Sequence, residues 1–330
     1  MRAVWYERQG PPAEVLVAGE MDRPEPAPGE VRVRVHASGV NPSDTYGRSG
    51  ATGPMAFPRV VPDQDGAGVV DAVGQGVSPD RVGERVWVYE ATWRRPFGTA
   101  AEYTTVPERR AVRLPDDVSF EVGACLGVPA MTAHRCVFAD GPVRGQTVLV
   151  TGGAGAVGSL AIQFARWAGA QVITTVSSDA KAEAARAAGA NHLVNYRTED
   201  AAEAILRLTG GGGVDRIVEV DFGGNLPTTL RVLKEGGAVA AYASRGAPEP
   251  TLPFRAFMAK NPTFRFVLVY SMPEPAKSAA MADITRALEQ GALRPAIGAR
   301  FPLERLADAH AAVESWSVIG NVVVEVGPSA

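Results

Sequence analysis

Residues 147–158 read TVLVTGGAGAVG, and the fold turns on this stretch. TVLVT (147–151) is a short apolar run, as expected of a strand buried on both faces. It passes directly into Gly153-Ala154-Gly155-Ala156-Val157-Gly158, which matches G-x-G-x-x-G, and then into an apolar helix through Ala168. In a dinucleotide-binding turn the first glycine permits the tight bend. The second lets a pyrophosphate approach the backbone, and the third lets helix and strand pack closely. The pyrophosphate then sits on free N–H groups at the helix N-terminus. The motif is weak evidence alone in a chain with 36 glycines among 330 residues. A strand before it and a helix after it supply the context that gives it meaning.

Outward from this turn, strand and helix alternate. QVITTV (171–176), HLVN (192–195), DRIVEV (215–220), AVAAYA (238–243) and FRFVLVY (264–270) read as five further strands. Helices are expected over 179–188, 199–208 and 226–234, with Gly189 stopping the first. Six strands alternating with helices predict an α/β fold, a doubly wound parallel sheet with right-handed crossovers. Residues 1–122 differ. VRVRVHASGV (31–40) alternates with the period of a half-buried strand, and GAGVVDAVG (66–74) and ERVWVYE (84–90) are two more. Pro24, Pro26, Pro28, Gly29, Pro42 and Pro58 are expected to break any long helix there. Residues 121–138 are apolar at helical spacing, as one helix or two short ones. The chain closes with helices near 276–290 and 303–315 and a strand, NVVVEV (321–326).

The length suggests about two domains at roughly 150 residues each. With 33 Lys+Arg against 36 Asp+Glu the net charge is −3, which argues against a nucleic-acid or membrane-surface protein. The dibasic pairs Arg94-Arg95 and Arg109-Arg110 read as solvated surface. Cys125 and Cys136, the only cysteines, make neither a disulfide framework nor a four-thiolate zinc site. The opening MRAVWYERQG carries charges where a signal peptide needs an apolar core, and no run of 18 apolar residues occurs. A cytoplasmic setting is the expectation.

The second strand of an NAD site usually ends in Asp or Glu, which accepts from the ribose hydroxyls. Here it ends Val176-Ser177-Ser178, and Asp179 reads as a helix N-cap. Lys181 follows in the first turn, where a cation opposes the helix dipole unless an anion is near. A 2′-phosphate would be such an anion; a solvated surface lysine is the alternative.

VHASGVNPSDTYGRSG (35–50), DGAGVVDAVG (65–74), GTAAEYTTVP (98–107), VLVTGGAGAVG (148–158), AGANHLVNYR (188–197) and IGNVVVEV (319–326) together resemble the zinc-free, zeta-crystallin-like quinone oxidoreductases of the medium-chain dehydrogenase/reductase superfamily. The resemblance spans essentially the whole chain. It implies a Rossmann NADPH-binding domain (123–269) inserted into a β-rich, GroES-like catalytic domain built from 1–122 and 270–330. Asn41, Tyr46 and Arg48 match the loop lining the nicotinamide and substrate cleft, and are the expected catalytic residues. Thr132 matches a threonine near the nicotinamide ribose. Gly153, Gly155, Ala156, Val157 and Gly158 form the pyrophosphate turn. Lys181 and Tyr196, beside Ser178, match the pair cradling the 2′-phosphate of NADPH. Tyr242, Ser244 and Arg245 match a segment bordering the cofactor, and Val267 and Val269 the strand whose backbone holds the carboxamide. A homodimer through 264–270 is also implied; that segment is apolar on both faces and lies at a sheet edge, which invites pairing.

In zinc-dependent relatives a cysteine stands at Asn41, a His-Glu pair at Gln64-Asp65, and a further cysteine near Val128; this chain has none of them. His36, His134, His192 and His310 show no ligand spacing, and no metal is expected. His36 and His134 read as structural. Ala130 and Met131 stand where close relatives often carry aromatics, which suggests a larger, more adaptable substrate pocket. A site without a Lewis acid suits an acceptor that is already electrophilic. Three functions stay open: an NADPH-dependent quinone oxidoreductase; a reductase of enals, enones or enoyl thioesters; and a non-catalytic NADPH-binding protein. The partner expected is a small-molecule electrophilic acceptor, with neither nucleic acid nor membrane.

Overall fold

The computed structural model describes residues 1–327. They form two compact units: Met1–Pro129 joined by the chain end from Pro295, and Ala130–Arg294.

The first unit opens with a small antiparallel pair, β1 (Arg2–Trp5) and β2 (Val17–Glu20). Then come β3 (Glu30–Val40), β4 (Asp65–Val73), β5 (Arg85–Val88), β6 (Tyr103–Pro107) and β7 (Ala111–Arg113). β3 is the organising strand. One edge pairs with β4, through irregularities at Arg32/Val33 and Val35/Ala37; the first half of its other edge pairs with β6. Such bulges bend a strand and let a sheet curl. Residues 42–49 fall on the cleft loop that the resemblance implies, behind a proline expected to break any long helix. They form a helix, Pro42–Ser49, because Pro42 occupies the first helical position, where its missing N–H costs nothing.

After a helical turn Phe120–Gly123, the chain makes a π-type turn, Leu126–Ala130, and runs into the helix Met131–Phe138. The second unit then carries β8 (Thr147–Val150), β9 (Gln171–Val176), β10 (His192–Asn195), β11 (Val214–Glu219), β12 (Leu233–Ala241) and β13 (Thr263–Phe266). Their order is β10-β9-β8-β11-β12-β13, all parallel, as expected. Phe264, Val239, Ile217, Leu149 and Ile173 lie in register across five strands. They belong to one hydrophobic core. The order reverses between β8 and β11, so their carboxyl ends form the crevice where such sheets take ligands.

The expected last strand, 264–270, is shorter than its apolar run. β13 stops at Phe266, Val267 N still donates to Ala241 O (2.8 Å), and Val269–Ser271 turn into a 3-10 helix. The chain then forms the helix Glu274–Glu289, which was expected in the first unit but belongs to the second. It packs on Met131–Phe138, where His134 Nε2 and Asp283 Oδ2 lie 2.9 Å apart. Trp167 Nε1 donates to Gln290 Oε1 (2.7 Å), and Arg294 N to Gln163 Oε1 (2.6 Å). These contacts shift the expected boundaries from 122/123 and 269/270 to Pro129/Ala130 and Arg294/Pro295. Finally β14 (Ile297–Pro302) and β15 (Asn321–Glu325) return the chain to the first sheet, flanking the helix Leu306–Glu314. β15 pairs with the second half of β3, from Ala37 to Val40, completing a seven-stranded sheet.

Candidate functional site

The glycine turn shows three different reasons for its three glycines. A Cβ on Gly153 would collide with Thr174 of β9, and one on Gly158 with the Gly152 carbonyl. Around Gly155 a Cβ would meet nothing nearer than Gly152 O at 3.5 Å. The middle glycine therefore has open space above it rather than a packing partner. Gly155 is also the N-cap of the helix Ala156–Trp167 and offers no side-chain acceptor. The first bond of that helix runs from Ser159 N to Gly155 O (2.9 Å), so the N–H groups of Ala156, Val157 and Gly158 precede it. An open cradle lined by helix N–H donors fits a dinucleotide pyrophosphate.

Beside it, Glu219 ends β11 fully buried. Its Oε1 accepts from Thr151 Oγ1 (2.8 Å), Asp221 N (2.6 Å) and Asn225 Nδ2 (2.8 Å), tying the ends of β8 and β11 together. Burial raises its pKa above the ordinary carboxylate range. In the sequence Glu219 is one polar residue inside an apolar run, and nothing local marks it.

At the end of β9, Ser178 caps the helix Asp179–Ala187 and accepts from Lys181 N (3.4 Å). Tyr196 follows β10 beside it, its N donating to Val176 O (3.2 Å), and its ring is exposed. The Arg197 guanidinium lies 5.6 Å from the Tyr196 ring centroid. Arg197 closes AGANHLVNYR (188–197), where nothing local separates it from a solvated surface arginine. The carboxyl ends of β9 and β10 thus carry cations and hydroxyls and no carboxylate until Asp179.

The remaining expected cofactor residues are arranged less simply. Thr132 is buried on the helix Met131–Phe138. Tyr242 follows β12, its N donating to Glu219 O (3.1 Å). The Ser244 hydroxyl is used within the fold: it accepts from Gly223 N (2.9 Å) and donates to Ala247 O (2.6 Å). Arg245 is exposed. Val267 and Val269 lie beyond β13 rather than on it, because the chain turns away after Phe266. Ala130 and Met131 are fully buried at the start of the helix Met131–Phe138. His134 is committed to Asp283 and packs on Phe138 and Phe164, the structural role expected. His36 stacks on Phe120 at 4.4 Å.

In the first unit Asn41 caps the helix that bears Tyr46 and Arg48. Tyr46 is 39% exposed. Arg48 is 1% exposed, and its guanidinium bonds Gly10 O and Glu314 of the helix Leu306–Glu314. That corrects its expected place among the residues meeting the acceptor: an arginine spent inside the fold can hold its helix but cannot reach a ligand. Asn41 is also buried, with Nδ2 donating to Asp65 Oδ2 (2.8 Å) and its backbone N to Asp44 Oδ2 (2.8 Å). Val128 N donates to the same Asp65 Oδ2 (2.8 Å).

Asn41, Asp65 and Val128 are therefore neighbours, at the positions where zinc-dependent relatives place ligands. Here Asp65 Oδ2 accepts from the other two. An amide, a backbone N–H and one buried carboxyl are not a zinc donor set, which needs thiolates, imidazoles or free carboxylates. Among the described residues no three His, Cys, Asp or Glu side chains form a group able to hold a metal ion. Burial pushes Asp65 up to about 8, so it is largely neutral at pH 7. Asp44 is also raised well above the carboxylate range, by burial and then by Asp63 and Asp65 nearby. Among the described residues no helix is long and apolar enough to cross a membrane.

Two family models match the chain: an alcohol dehydrogenase GroES-like domain over residues 27–116 and a zinc-binding dehydrogenase domain over 156–286. The chain is 33% identical over 311 residues to the quinone oxidoreductase of Homo sapiens, covering 94% of this chain and 93% of that one. It is 32% identical to a 2-haloacrylate reductase of a Burkholderia species, covering 98% of each. A solved structure titled an NAD-dependent alcohol dehydrogenase superposes with a TM-score of 0.88 at 32% identity, covering 99% of this chain and 100% of that one. A mycobacterial protein solved with NADPH superposes at 0.86 and 31%, covering 98% and 99%. Likeness of this extent over both units, with the glycine turn and the β3–β4 segment intact, places the chain in the quinone oxidoreductase (zeta-crystallin-like) family of the medium-chain dehydrogenase/reductase superfamily.

Proposed function

We propose that the protein is an NADPH-dependent quinone oxidoreductase that works without a metal. The observation that carries this reading is the donor set at Asn41, Asp65 and Val128, closed on itself by two 2.8 Å hydrogen bonds. A carbonyl or alcohol that needs a Lewis acid finds no ligand set for one there. A quinone needs none, because its conjugated ring delocalises the developing negative charge. Bound NADPH supplies the hydride. The turn Gly153–Gly158 holds its pyrophosphate, and Lys181, Tyr196 and Arg197 hold its 2′-phosphate. Thr132 and the segment Tyr242–Arg245 border the cofactor, and the backbone about Val267 and Val269 meets its carboxamide. Asn41 gives a hydrogen bond to the acceptor and Tyr46 orients it, while Arg48 fixes the helix they share. The protein's main contribution is placement of the reactants and exclusion of water.

Absorbance of NADPH followed with a simple quinone and with a simple enone tests this reading. The quinone should give the higher kcat/KM. A preference for the enone would favour the second reading, a reductase of α,β-unsaturated acceptors, which the likeness to the 2-haloacrylate reductase supports. Tight NADPH binding with no oxidation by either acceptor would leave a non-catalytic binding protein.

Two further expectations belong to this reading. Chelators should leave activity unchanged, and elemental analysis should find no stoichiometric zinc. Zinc at one per chain, with activity lost on its removal, would overturn the metal-free reaction. The protein should also be a homodimer through 264–270. β13 is the edge strand of its sheet, and Phe266, Leu268 and, on the helix Phe254–Lys260, Phe254 and Met258 are all more than half exposed. Such an edge pairs readily with its two-fold copy. Leu268→Pro should shift sedimentation from dimer to monomer; a wild-type monomer at micromolar concentration would exclude this interface.

A further inference from the structure

We propose that Asp65 is a positioning residue for the acceptor site: its carboxyl holds the Asn41 amide in one plane, so that the second Nδ2 hydrogen is presented to the acceptor. This goes beyond the quinone reductase reading but rests on it for the identity of the acceptor. Asp65 is fully buried at the start of β4, opposite Gly39 of β3. One oxygen, Oδ2, accepts from both Asn41 Nδ2 and Val128 N, each at 2.8 Å. The Asn41 backbone N is held separately by Asp44. The residue is thus fixed at its backbone and at one amide hydrogen. Its other amide hydrogen has only Gly39 O at 3.5 Å, too long to compete with a ligand oxygen.

The surroundings are shaped for this clamp. A Cβ on Gly127 would strike the Asp65 carboxyl, and one on Gly39 would strike the Ala124 carbonyl. Two glycines, far apart in sequence, leave the room in which Asp65 bridges β3 and the turn Leu126–Ala130. That turn is π-type, a geometry often found at functional sites. The other Asp65 oxygen, Oδ1, is buried without a hydrogen-bond partner. Burial raises Asp65 to about 8, so at neutral pH it carries a proton, which Oδ1 can hold while Oδ2 accepts both N–H groups. A carboxamide in the same place offers the same acceptor, with its NH2 where the O–H stood. The role is therefore that of an oriented acceptor, and negative charge is not required for it.

The test compares wild type, Asp65→Asn and Asp65→Leu. Asp65→Leu keeps much of the shape and leaves two buried donors unpaired. It should lower kcat with a simple quinone by about thirtyfold, while NADPH affinity, read by fluorescence, changes by less than about twofold. Asp65→Asn should stay within about threefold of wild type in kcat. With ¹⁵N-labelled asparagine, the Asn41 side-chain amide, assigned by its loss in Asn41→Ser, should show two widely separated proton shifts in wild type and Asp65→Asn. Asp65→Leu should narrow their separation to that of free asparagine. The proposal is overturned if Asp65→Leu keeps kcat within threefold, or if Asp65→Asn falls as far as Asp65→Leu. A wild-type separation no larger than that of free asparagine would overturn it even if Asp65→Leu did not fold. If wild type oxidises no NADPH with quinone, the quinone reductase reading fails, and the amide shifts still decide whether Asp65 holds Asn41.

Discussion

Gly155→Val should weaken NADPH binding by about a hundredfold and leave the fold nearly as stable as before. The backbone at Gly155 has φ −78 and ψ 169, which valine adopts without strain. Its Cβ would find only Gly152 O, at 3.5 Å, an ordinary contact. The change costs about 1 kcal/mol as a poorer N-cap. The isopropyl group, however, fills the space over the N–H groups of Ala156, Val157 and Gly158. A hydrogen bond to a charged group contributes about 1.5–3 kcal/mol. Losing one strong or two weaker ones to the pyrophosphate corresponds to about a hundredfold at about 1.4 kcal/mol per tenfold. Gly158→Val supplies the contrast. Its Cβ would be driven into the Gly152 carbonyl, and backbone cannot yield as a side chain can, so this variant should lose stability first. NADPH fluorescence titration and thermal melts read the two effects apart. Gly155→Val binding NADPH within about threefold of wild type would show that the cradle is not where the pyrophosphate lies.

The same turn explains why the Rossmann unit was legible in the sequence. Its strands are buried on both faces, so each reads as a compact apolar run, and helices separate them at regular intervals. The first unit was less legible. β1 and β2 are four residues each and β7 is three, too short to carry a period of their own. Pro42 breaks a helix from inside and starts one from its first position, and the sequence alone does not separate the two. Arg48 shows a different limit. A charged residue between polar neighbours looks like surface or site, and it takes Gly10 and Glu314, 38 and 266 residues away in the chain, to make it an interior residue. Asp65 was noticed for the ligand it replaces. The bonds it makes to Asn41 and Val128 become visible only when β3, β4 and the π-type turn meet. Residues that bind a cofactor through the main chain were easier to find than residues that act by holding another side chain.

Lys181→Ala should raise the Michaelis constant for NADPH by about tenfold and leave that for NADH nearly unchanged. β9 ends in Val176-Ser177-Ser178, and the Ser178 hydroxyl already caps the following helix by accepting from Lys181 N. No carboxylate at the strand end is placed to bind the ribose hydroxyls of NADH or to repel a phosphate. The Lys181 side chain starts in the first helical turn, where its charge opposes the helix dipole unless an anion sits there. Tyr196 and Arg197, at the end of the neighbouring strand, add a hydroxyl donor and a second cation. A charge-assisted contact made only with NADPH contributes about 1.5–3 kcal/mol, and partial exposure to water favours the low end, about tenfold. Turnover should stay the same, because the 2′-phosphate is remote from the reacting carbon and is bound equally in ground and transition states. Arg197→Ala should act in the same direction, and the double variant should lose most of the preference. Equal weakening of both cofactors, or a wild type that prefers NADH, would make Lys181 a surface lysine and remove the NADPH assignment.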